Sequence, residues 1–578
     1  MFLDELKAEL DEIAQIKVQK TRNQRLEAFR EKLSGLVFLD PACGSGNFLT
    51  ETYLSLRRLE NESIAIQHQN QIQFGAFHNP IKVGISQFYG IEINDFAVTV
   101  ARTALWIAES QMLHETEKII NQTIDFLPLK SYPNITEGNA LRIDWESVVP
   151  KDKLTYIMGN PPFVGARLMG QAQKDDVFTI FDGVKNNGNL DYVSCWYKKA
   201  ADLMQGTAVR TALVSTNSIT QGEQVAILWK TLFEQGVHID FAYKTFIWDS
   251  EASLKAHVHC VIVGFSVAPT NQPKRLFDNG NMKIVQNING YLVETDNIIV
   301  ENFNKPICNV PVIGIGNKPI DGGYYLFTEE EKDEFLMIEP KAKCYFKQWI
   351  GAREFINNVK RYCLWLGDCS PKELRSMPEC MKRVEAVRKY RLESNSAGTR
   401  KIADKPTRFH VENMPKGHFL VIPQVSSERR KYIPIGYLDD SVLCSDKVRI
   451  MPEGTLYHFG ILTSNVHMAW MRAICCRLKS DYSYTVNNVY NTFPWCEPTP
   501  EQKAKIEQTA QAILDARAKY PDSSLADLYD ETTMPPELRK AHQANDKAVM
   551  QAYGFPLKMT ESECVAELMR MYQKLTAK

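Results

Sequence analysis

The sequence predicts an α/β fold: a doubly wound sheet over residues 36–302, then an α+β region and a helical C-terminal end. Three observations carry the prediction. The apolar run Leu36-Val37-Phe38-Leu39 ends at Asp40 and turns through Pro41-Ala42-Cys43-Gly44-Ser45-Gly46 into a helix opening with Asn47-Phe48-Leu49. A second run, Gln87 to Ile93, carries an acid, Glu92, at its end. A third, Leu154 to Met158, runs into Gly159-Asn160-Pro161-Pro162-Phe163. Open α/β sheets bind ligands outside the carboxyl ends of their strands, and all three motifs fall there.

Residues 1–35 read as a charged, amphipathic helical lead-in. In the turn that follows the first strand, Gly44 and Gly46 have no Cβ, so the backbone can approach a ligand. The turn lacks Gly-Lys-Ser/Thr and a third glycine at dinucleotide spacing, so it is not a phosphate loop. With an acid at the strand end it suits a ligand with a polar amino-acid part and a nucleoside. Glu92 is placed to accept both ribose hydroxyls. A strand at Tyr132–Ile135 leads into Glu137-Gly138-Asn139-Ala140-Leu141, a turn suited to capping an adenine ring. At the third strand end, the Asn160 amide oxygen and the Pro161 carbonyl are two acceptors, and Pro161-Pro162 stiffens the turn. Phe163 offers a flat face on which a base can stack. An exocyclic amine held by two acceptors can pyramidalise, which frees its lone pair for an electrophile.

Ala208–Thr216 and His257–Phe265 read as further strands. The His257-x-His259 spacing suits a metal, but packing is the expected role and no metal is predicted. Residues 303–325, with Pro306, Pro311, Pro319 and Gly322-Gly323, read as a linker. Residues 326–495 mix short strands and helices. Residues 496–578 are helical, and Thr499–Lys519 opens Thr-Pro-Glu-Gln, a threonine cap followed by proline at the first helical position.

The 578-residue length allows two or three domains, and 44% hydrophobic with 24% charged residues are ordinary globular values. No apolar run approaches the ~20 residues of a membrane span, and Met1–Lys20 is too charged for a signal peptide. The 13 cysteines include no Cys-x-x-Cys pair, which points to reduced thiols and a cytoplasmic address rather than zinc or disulfides. Cys43 reads as a shielded thiol, not a nucleophile. Net charge is −1, yet residues 341–480 hold 26 Lys+Arg against 13 Asp+Glu, leaving the remainder at −14. That asymmetry is a footprint for duplex DNA. The candidate contacts are Arg383, Arg388, Lys389, Arg400, Lys401, Arg408, Arg429, Arg430 and Lys431.

Asp-Pro-Ala-Cys-Gly-Ser-Gly-Asn-Phe followed by Asn-Pro-Pro-Phe resembles the S-adenosylmethionine-dependent adenine-N6 DNA methyltransferases, in the gamma order. The blocks Leu190-Asp191-Tyr192-Val193 to Ala201, Val214-Ser215-Thr216-Asn217-Ser218 to Val225, and Asn491-Thr492-Phe493-Pro494-Trp495 resemble the MmeI-like (Type IIL) restriction–modification enzymes. The resemblance covers about residues 1–570. It implies a Rossmann-like methyltransferase sheet at 36–302, a target-recognition domain at 326–495 and a C-terminal helical region at 496–578. It implies that Asp40, Ala42, Gly44, Gly46 and Asn47 line the methionine side of the cofactor, with Pro41, Cys43 and Phe48 in the same loop. Glu92 then holds the ribose, Ile93 packs on the adenine, and Asn139 and Ala140 contact its rim. Asn160 and Pro161 grip the target amine, Pro162 shapes the turn, and Phe163 stacks on the flipped base. Family members carry a Tyr-Thr-containing motif upstream and a nuclease further upstream. Neither that motif nor a Pro-Asp…Asp/Glu-x-Lys signature is present, so a methyltransferase–recognition part is expected, either separated from its nuclease or truncated. The other readings are a recognition subunit with impaired catalysis, or a methyltransferase of protein glutamine or RNA.

Overall fold

Short apolar runs alternating with long amphipathic stretches fold as a mostly parallel sheet with helices packed on it. The computed structural model describes residues 2–68, 79–124, 134–248, 258–270, 272–478 and 480–577. The chain divides into two units, Met1–Thr220 with Gln224–Ile299, and Gln221–Glu223 with Val300–Lys578.

The first unit opens with α1 (Leu3–Ala14) and α2 (Gln19–Ser34), followed by β1 (Phe38–Asp40), α3 (Asn47–His68), β2 (Phe88–Glu92), α4 (Asp95–Ile120) and β3 (Ile135–Glu137). Then come β4 (Tyr156–Gly159), α5 (Gln171–Ile180), α6 (Ser194–Met204), β5 (Arg210–Thr216), α7 (Gly222–Glu234), β6 (His238–Trp248), β7 (Val258–Ser266), β8 (Lys274–Asp278) and β9 (Asn281–Val285). Among the described residues the strands lie in the order β3-β2-β1-β4-β5-β7-β6-β8-β9. β1 to β5 are mutually parallel, and β7 runs antiparallel to both β5 and β6. Phe38 pairs with Phe88 on one side and Tyr156 on the other. The chain therefore steps outward in opposite directions from β1, and a crevice opens where the ends of β1 and β4 part.

The predicted strands are present with shifted ends. Of the strand expected at Tyr132–Ile135, Tyr132 and Pro133 lie outside the described residues, and β3 is described over Ile135–Glu137. Its ladder runs on to Glu137 because Glu137 pairs with Glu92 and Gly138 N–H donates to the Glu92 carbonyl at 2.8 Å. His257 also lies outside the described residues, and His259 is half-buried on β7.

The lead-in is two helices that share the sheet's core. Leu6, Leu10 and Ile13 of α1 and Leu26, Phe29 and Leu33 of α2 are buried in one cluster with Phe38, Phe88 and Tyr156. Phe2 packs 5.2 Å from Phe38 and 4.8 Å from Tyr156, while Phe38 stacks on Phe88 at 5.1 Å. Buried Glu60 on α3 pairs with buried Arg57 and accepts the N–H groups of Lys82 (2.7 Å) and Val83 (3.1 Å). Arg57 also donates to Thr116 of α4 at 2.7 Å. This buried pair, with its bonds to Thr116, Lys82 and Val83, ties α3 to α4 and to the segment entering β2.

In the second unit, Gly314–Ile315, Val448–Met451, Phe419–Pro423 and Gly436–Leu438 form one small sheet. Leu326–Phe327, Tyr362–Leu364, Phe346–Ile350 and Val442–Cys444 form another. Segment 303–325 is not a free linker. It supplies the edge strand Gly314–Ile315, and buried Asn317 donates to the Cys444 carbonyl at 2.9 Å and accepts from Asn413 N–H at 2.8 Å. Proline and glycine there shape a path through the unit instead of marking its border. The predicted cap at Thr499 is present: its hydroxyl takes the Gln502 N–H at 3.3 Å and the Gln502 side chain takes the Thr499 N–H at 2.9 Å, ahead of the helix Pro500–Ala518. The helices Pro536–Tyr553 and Glu561–Thr576 are tied to residues 432–472 of the same unit. Tyr432 OH donates to Asp546 (2.6 Å), Asn545 donates to the Gly460 carbonyl (2.7 Å), and Arg472 meets Glu561 through two bonds of 2.7 and 2.8 Å. Among the described residues no helix is long and apolar enough to cross a membrane.

Candidate active site

A glycine turn after a strand needs positive φ, and Gly44 (+53°) and Gly46 (+80°) supply it. A Cβ on Gly46 would sit 3.0 Å from Ala101 Cβ, so the turn also lies close on α4. Glu92 ties this loop to β2: its Oε2 accepts Gly44 N–H at 2.9 Å and its Oε1 accepts Asn94 N–H at 2.9 Å. The carboxylate therefore shapes the loop and still has lone pairs to offer a ligand. Cys43 packs over Gly90, where a Cβ would come within 2.8 Å of its Sγ, and burial raises its thiol pKa well above the ordinary range. Asn47 accepts from Ser45 Oγ at 3.2 Å, and Phe48 is partly exposed at the start of α3.

Asp40 is 1% exposed. Its Oδ1 accepts Ala42 N–H at 3.0 Å and lies where a Cβ on Gly159 would be, 2.5 Å away. Gly159 is thus the residue that lets β4 end beside this acid. Asp40 Oδ2 is buried with no hydrogen-bond partner among the described residues. Burial pushes the carboxyl up to about 7; the Ala42 N–H opposes the rise and the Glu92 charge adds to it. The folded value lies above the ordinary 3.8, so the native state keeps a proton that the unfolded chain has already released. This group's contribution to stability falls as pH rises from about 4 to 7 and is level above that. Asp40→Asn should therefore gain stability relative to the parent as pH rises across that window. Denaturant melts at pH 5 and pH 8 measure it, and an unchanged gap between the two proteins would refute the assignment.

Asn160 follows β4, and its Oδ1 is buried and accepts no hydrogen bond among the described residues. Pro161 is buried and Phe163 half-buried. The loop beyond them is pinned near α6: Tyr192 N–H donates to the Val164 carbonyl at 2.9 Å, and Asp191 Oδ1 takes Ala166 N–H at 2.9 Å. Trp196 Nε1 donates to the Pro41 carbonyl at 3.0 Å, which fixes the glycine loop from the same helix.

Pro41, Ala42, Glu92, Ile93, Asn139, Ala140, Asn160 and Pro162 line one cavity of about 660 Å³. Four separate motifs thus meet at the crevice between β1 and β4. Ile93 is 69% exposed there, an apolar surface that the described residues leave open. Asp40, Cys43, Gly44, Gly46, Asn47, Phe48, Pro161 and Phe163 do not line the cavity; the first four support its floor and loop. Sequence reasoning missed Asp176, Tyr192, Trp196 and Arg142, which line it too. Arg142 directly follows the Glu137–Leu141 turn and Tyr192 and Trp196 fall in the Leu190–Ala201 block, but nothing in those stretches points to a cavity wall, and Asp176 carries no motif at all.

The basic candidates belong to the second unit and separate into two groups. Arg383 covers Phe327 and Phe335 (4.6 and 5.7 Å) and donates to the Tyr324 carbonyl. Arg408 lies over Trp365 at 5.3 Å, donates to the Gly367 carbonyl and pairs with Glu412. Arg430 is half-buried, and burial lowers its pKa. Packing accounts for these three. Arg388, Lys389, Arg400, Lys401, Arg429 and Lys431 are exposed.

Three family models cover the chain in succession: the MmeI DNA-methyltransferase domain at 16–278, the MmeI target recognition domain at 294–497 and the MmeI C-terminal domain at 498–578. DNA methyltransferase A of Bacillus subtilis (strain 168) is 40% identical over 555 residues, 96% of this chain and 63% of the relative. The chain thus spans less than two thirds of that relative's length. A putative type II restriction enzyme and methyltransferase of Methanocaldococcus jannaschii is 29% identical over 153 residues, 26% of this chain and 12% of the relative. The solved structure of the Type IIL restriction–modification enzyme MmeI in complex with DNA is 42% identical, with a TM-score of 0.91, covering 100% of this chain and 77% of that one. By this end-to-end match in sequence and fold, the chain belongs to the MmeI family of Type IIL restriction–modification enzymes.

Proposed function

We propose that the chain is a site-specific DNA methyltransferase that uses S-adenosylmethionine to methylate the N6 amine of an adenine flipped out of duplex DNA, within a restriction–modification system. The observation that carries this reading is the buried, unpaired Asn160 Oδ1 on a cavity shared with Glu92 and Ile93. A buried acceptor without a donor calls for one, and on a cavity wall a bound ligand can supply it. Asp40 Oδ2, a further buried acceptor without a partner among the described residues, sits beneath the loop that lines the cavity and suits a cationic amino-acid group, so the residues present fit this cofactor.

S-adenosylmethionine, when bound, supplies an electrophilic methyl group on a sulfonium sulfur. Asp40 and the 41–48 loop would hold its amino-acid part, Glu92 its ribose, and Ile93, Asn139 and Ala140 its adenine. Asn160 Oδ1 and the Pro161 carbonyl would accept from the target amine and orient its lone pair. Phe163 would stack on the extruded base and offset part of the few kcal/mol that unstacking costs. The pinned 164–166 segment keeps this grip rigid, so little order has to be gained at the moment of reaction.

The second unit would read the target, with exposed Arg388, Lys389, Arg400, Lys401, Arg429 and Lys431 on phosphates. If about five phosphates are neutralised, the log–log salt slope of duplex binding is about −4.5. Reversing Arg429 and Lys431 to Glu in the whole chain should weaken binding and flatten that slope. Unaltered affinity and slope would make the cluster a solvated surface, and methylation spreading to new sequences would make it a base reader. The central test is single-molecule sequencing of duplex DNA treated with the purified chain and S-adenosylmethionine. N6-methyladenine at one recurring motif is expected; unmodified DNA from a chain that binds the cofactor overturns the reading.

A further inference from the structure

We propose that Asp176 fixes which way the Asn139 carboxamide faces and so makes the nucleoside end of the cavity selective for adenine, an inference that rests on the cofactor reading above. Asp176 lies on α5, distant in sequence from every motif, and is buried, yet it lines the cavity with Asn139. Three side chains donate to it. Asn139 Nδ2 (3.2 Å) and the Tyr192 hydroxyl (2.8 Å) reach Oδ2, and Arg142 Nε reaches Oδ1 at 2.8 Å. A carboxylate accepts and does not donate, so Asn139 must turn its NH2 toward Asp176. The other end agrees: Asn139 Oδ1 accepts Leu141 N–H at 2.9 Å. The reverse flip would set oxygen against carboxylate and NH2 against N–H.

Each end of the locked carboxamide keeps one free valence, a lone pair on Oδ1 and a hydrogen on Nδ2. An acceptor beside a donor in one plane matches adenine, which presents an amino hydrogen next to a ring nitrogen. Hypoxanthine, with O6 in place of the amine, would face oxygen with oxygen. The preceding Gly138 has φ +147°, and a Cβ there would come within 2.7 Å of Ile143 Cδ1, so the turn that carries Asn139 is itself held in place. Asp176 is a positioning residue here: it acts on the purine through Asn139.

The test compares calorimetric affinities of the full chain for S-adenosylhomocysteine and S-inosylhomocysteine, which differ only along the C6–N1 edge of the purine. The parent should prefer the adenosyl compound by about tenfold or more. Asp176→Asn, whose own amide can turn either way, should lower that ratio several-fold, because only the Leu141 N–H then holds Asn139 against the flip. Tyr192→Phe keeps the carboxylate and should keep the ratio. A thermal melt checks folding, and Asp176→Ser gives the same readout if the Asn variant does not fold. A parental ratio in a folded Asp176 variant overturns the proposal, as does a parent that binds both compounds equally. A parent that binds neither fails at the cofactor reading itself and takes the proposal with it.

Discussion

Asn160→Ala is expected to lower methyl transfer by about 10²–10³-fold, the scale for removing one preorganised hydrogen-bonding partner from a reacting centre. Cofactor affinity should stay nearly unchanged. The split follows from where the side chain stands: its Oδ1 is buried and unpaired, so it supports no neighbour that the cofactor touches. Gly159, which borders Asp40, stays in place, so the floor of the cavity is intact. Methylation rates on duplex DNA, set beside calorimetric binding of S-adenosylhomocysteine, measure the two quantities separately. Near-parental turnover would mean that the amine is gripped elsewhere. Equal losses of binding and turnover would mean that Asn160 shapes the pocket instead of acting on the amine.

Glu92→Ala is expected to weaken cofactor binding by about 1.5–3 kcal/mol, the range for hydrogen bonds to a charged group. Two effects combine in that figure. The ribose loses its acceptor, and Gly44 and Asn94 lose the carboxylate that holds their N–H groups. Hydrogen exchange separates them, because faster exchange at the Gly44 and Asn94 amides reports the loop alone. An affinity unmoved by the substitution sinks the ribose assignment even if those amides loosen.

Why the strand ends were readable and their neighbours were not has a physical basis. Asp40, Glu92 and Asn160 are announced by apolar runs that stop at a polar residue, a pattern set by local burial. Glycine and proline mark the turns because few other residues tolerate them. The doubly wound order followed from the same signals, and the lead-in helices were legible as helices. Their place in the core was not, because the partners of Phe2 and Leu6 are Phe38 and Tyr156, far along the chain. Asp176 is one acid in a polar helix, and its role exists only where Asn139, Arg142 and Tyr192 converge. Segment 303–325 misled for the opposite reason. Its prolines and glycines signal a break in regular structure, which is a different thing from a break between domains. Basic runs were the weakest guide, since charge alone cannot separate Arg383, laid over Phe327, from exposed Lys401.

The bonds that join Tyr432, Asn465 and Arg472 to Asp546 and Glu561 decide which piece of this chain can be exchanged between relatives as a cassette. A graft of residues 326–495 alone would carry Tyr432 and Arg472 into a host whose own helices must supply both acids in register. Each buried donor left unmatched costs about 1–3 kcal/mol, and two or three mismatches consume much of a domain's margin. A graft cut at Ile299–Val300 transfers donors and acceptors together. Chimeras with the late crossover should melt lower than those with the early one even when their surfaces are identical, so the terminal helices belong to the unit that has to travel whole.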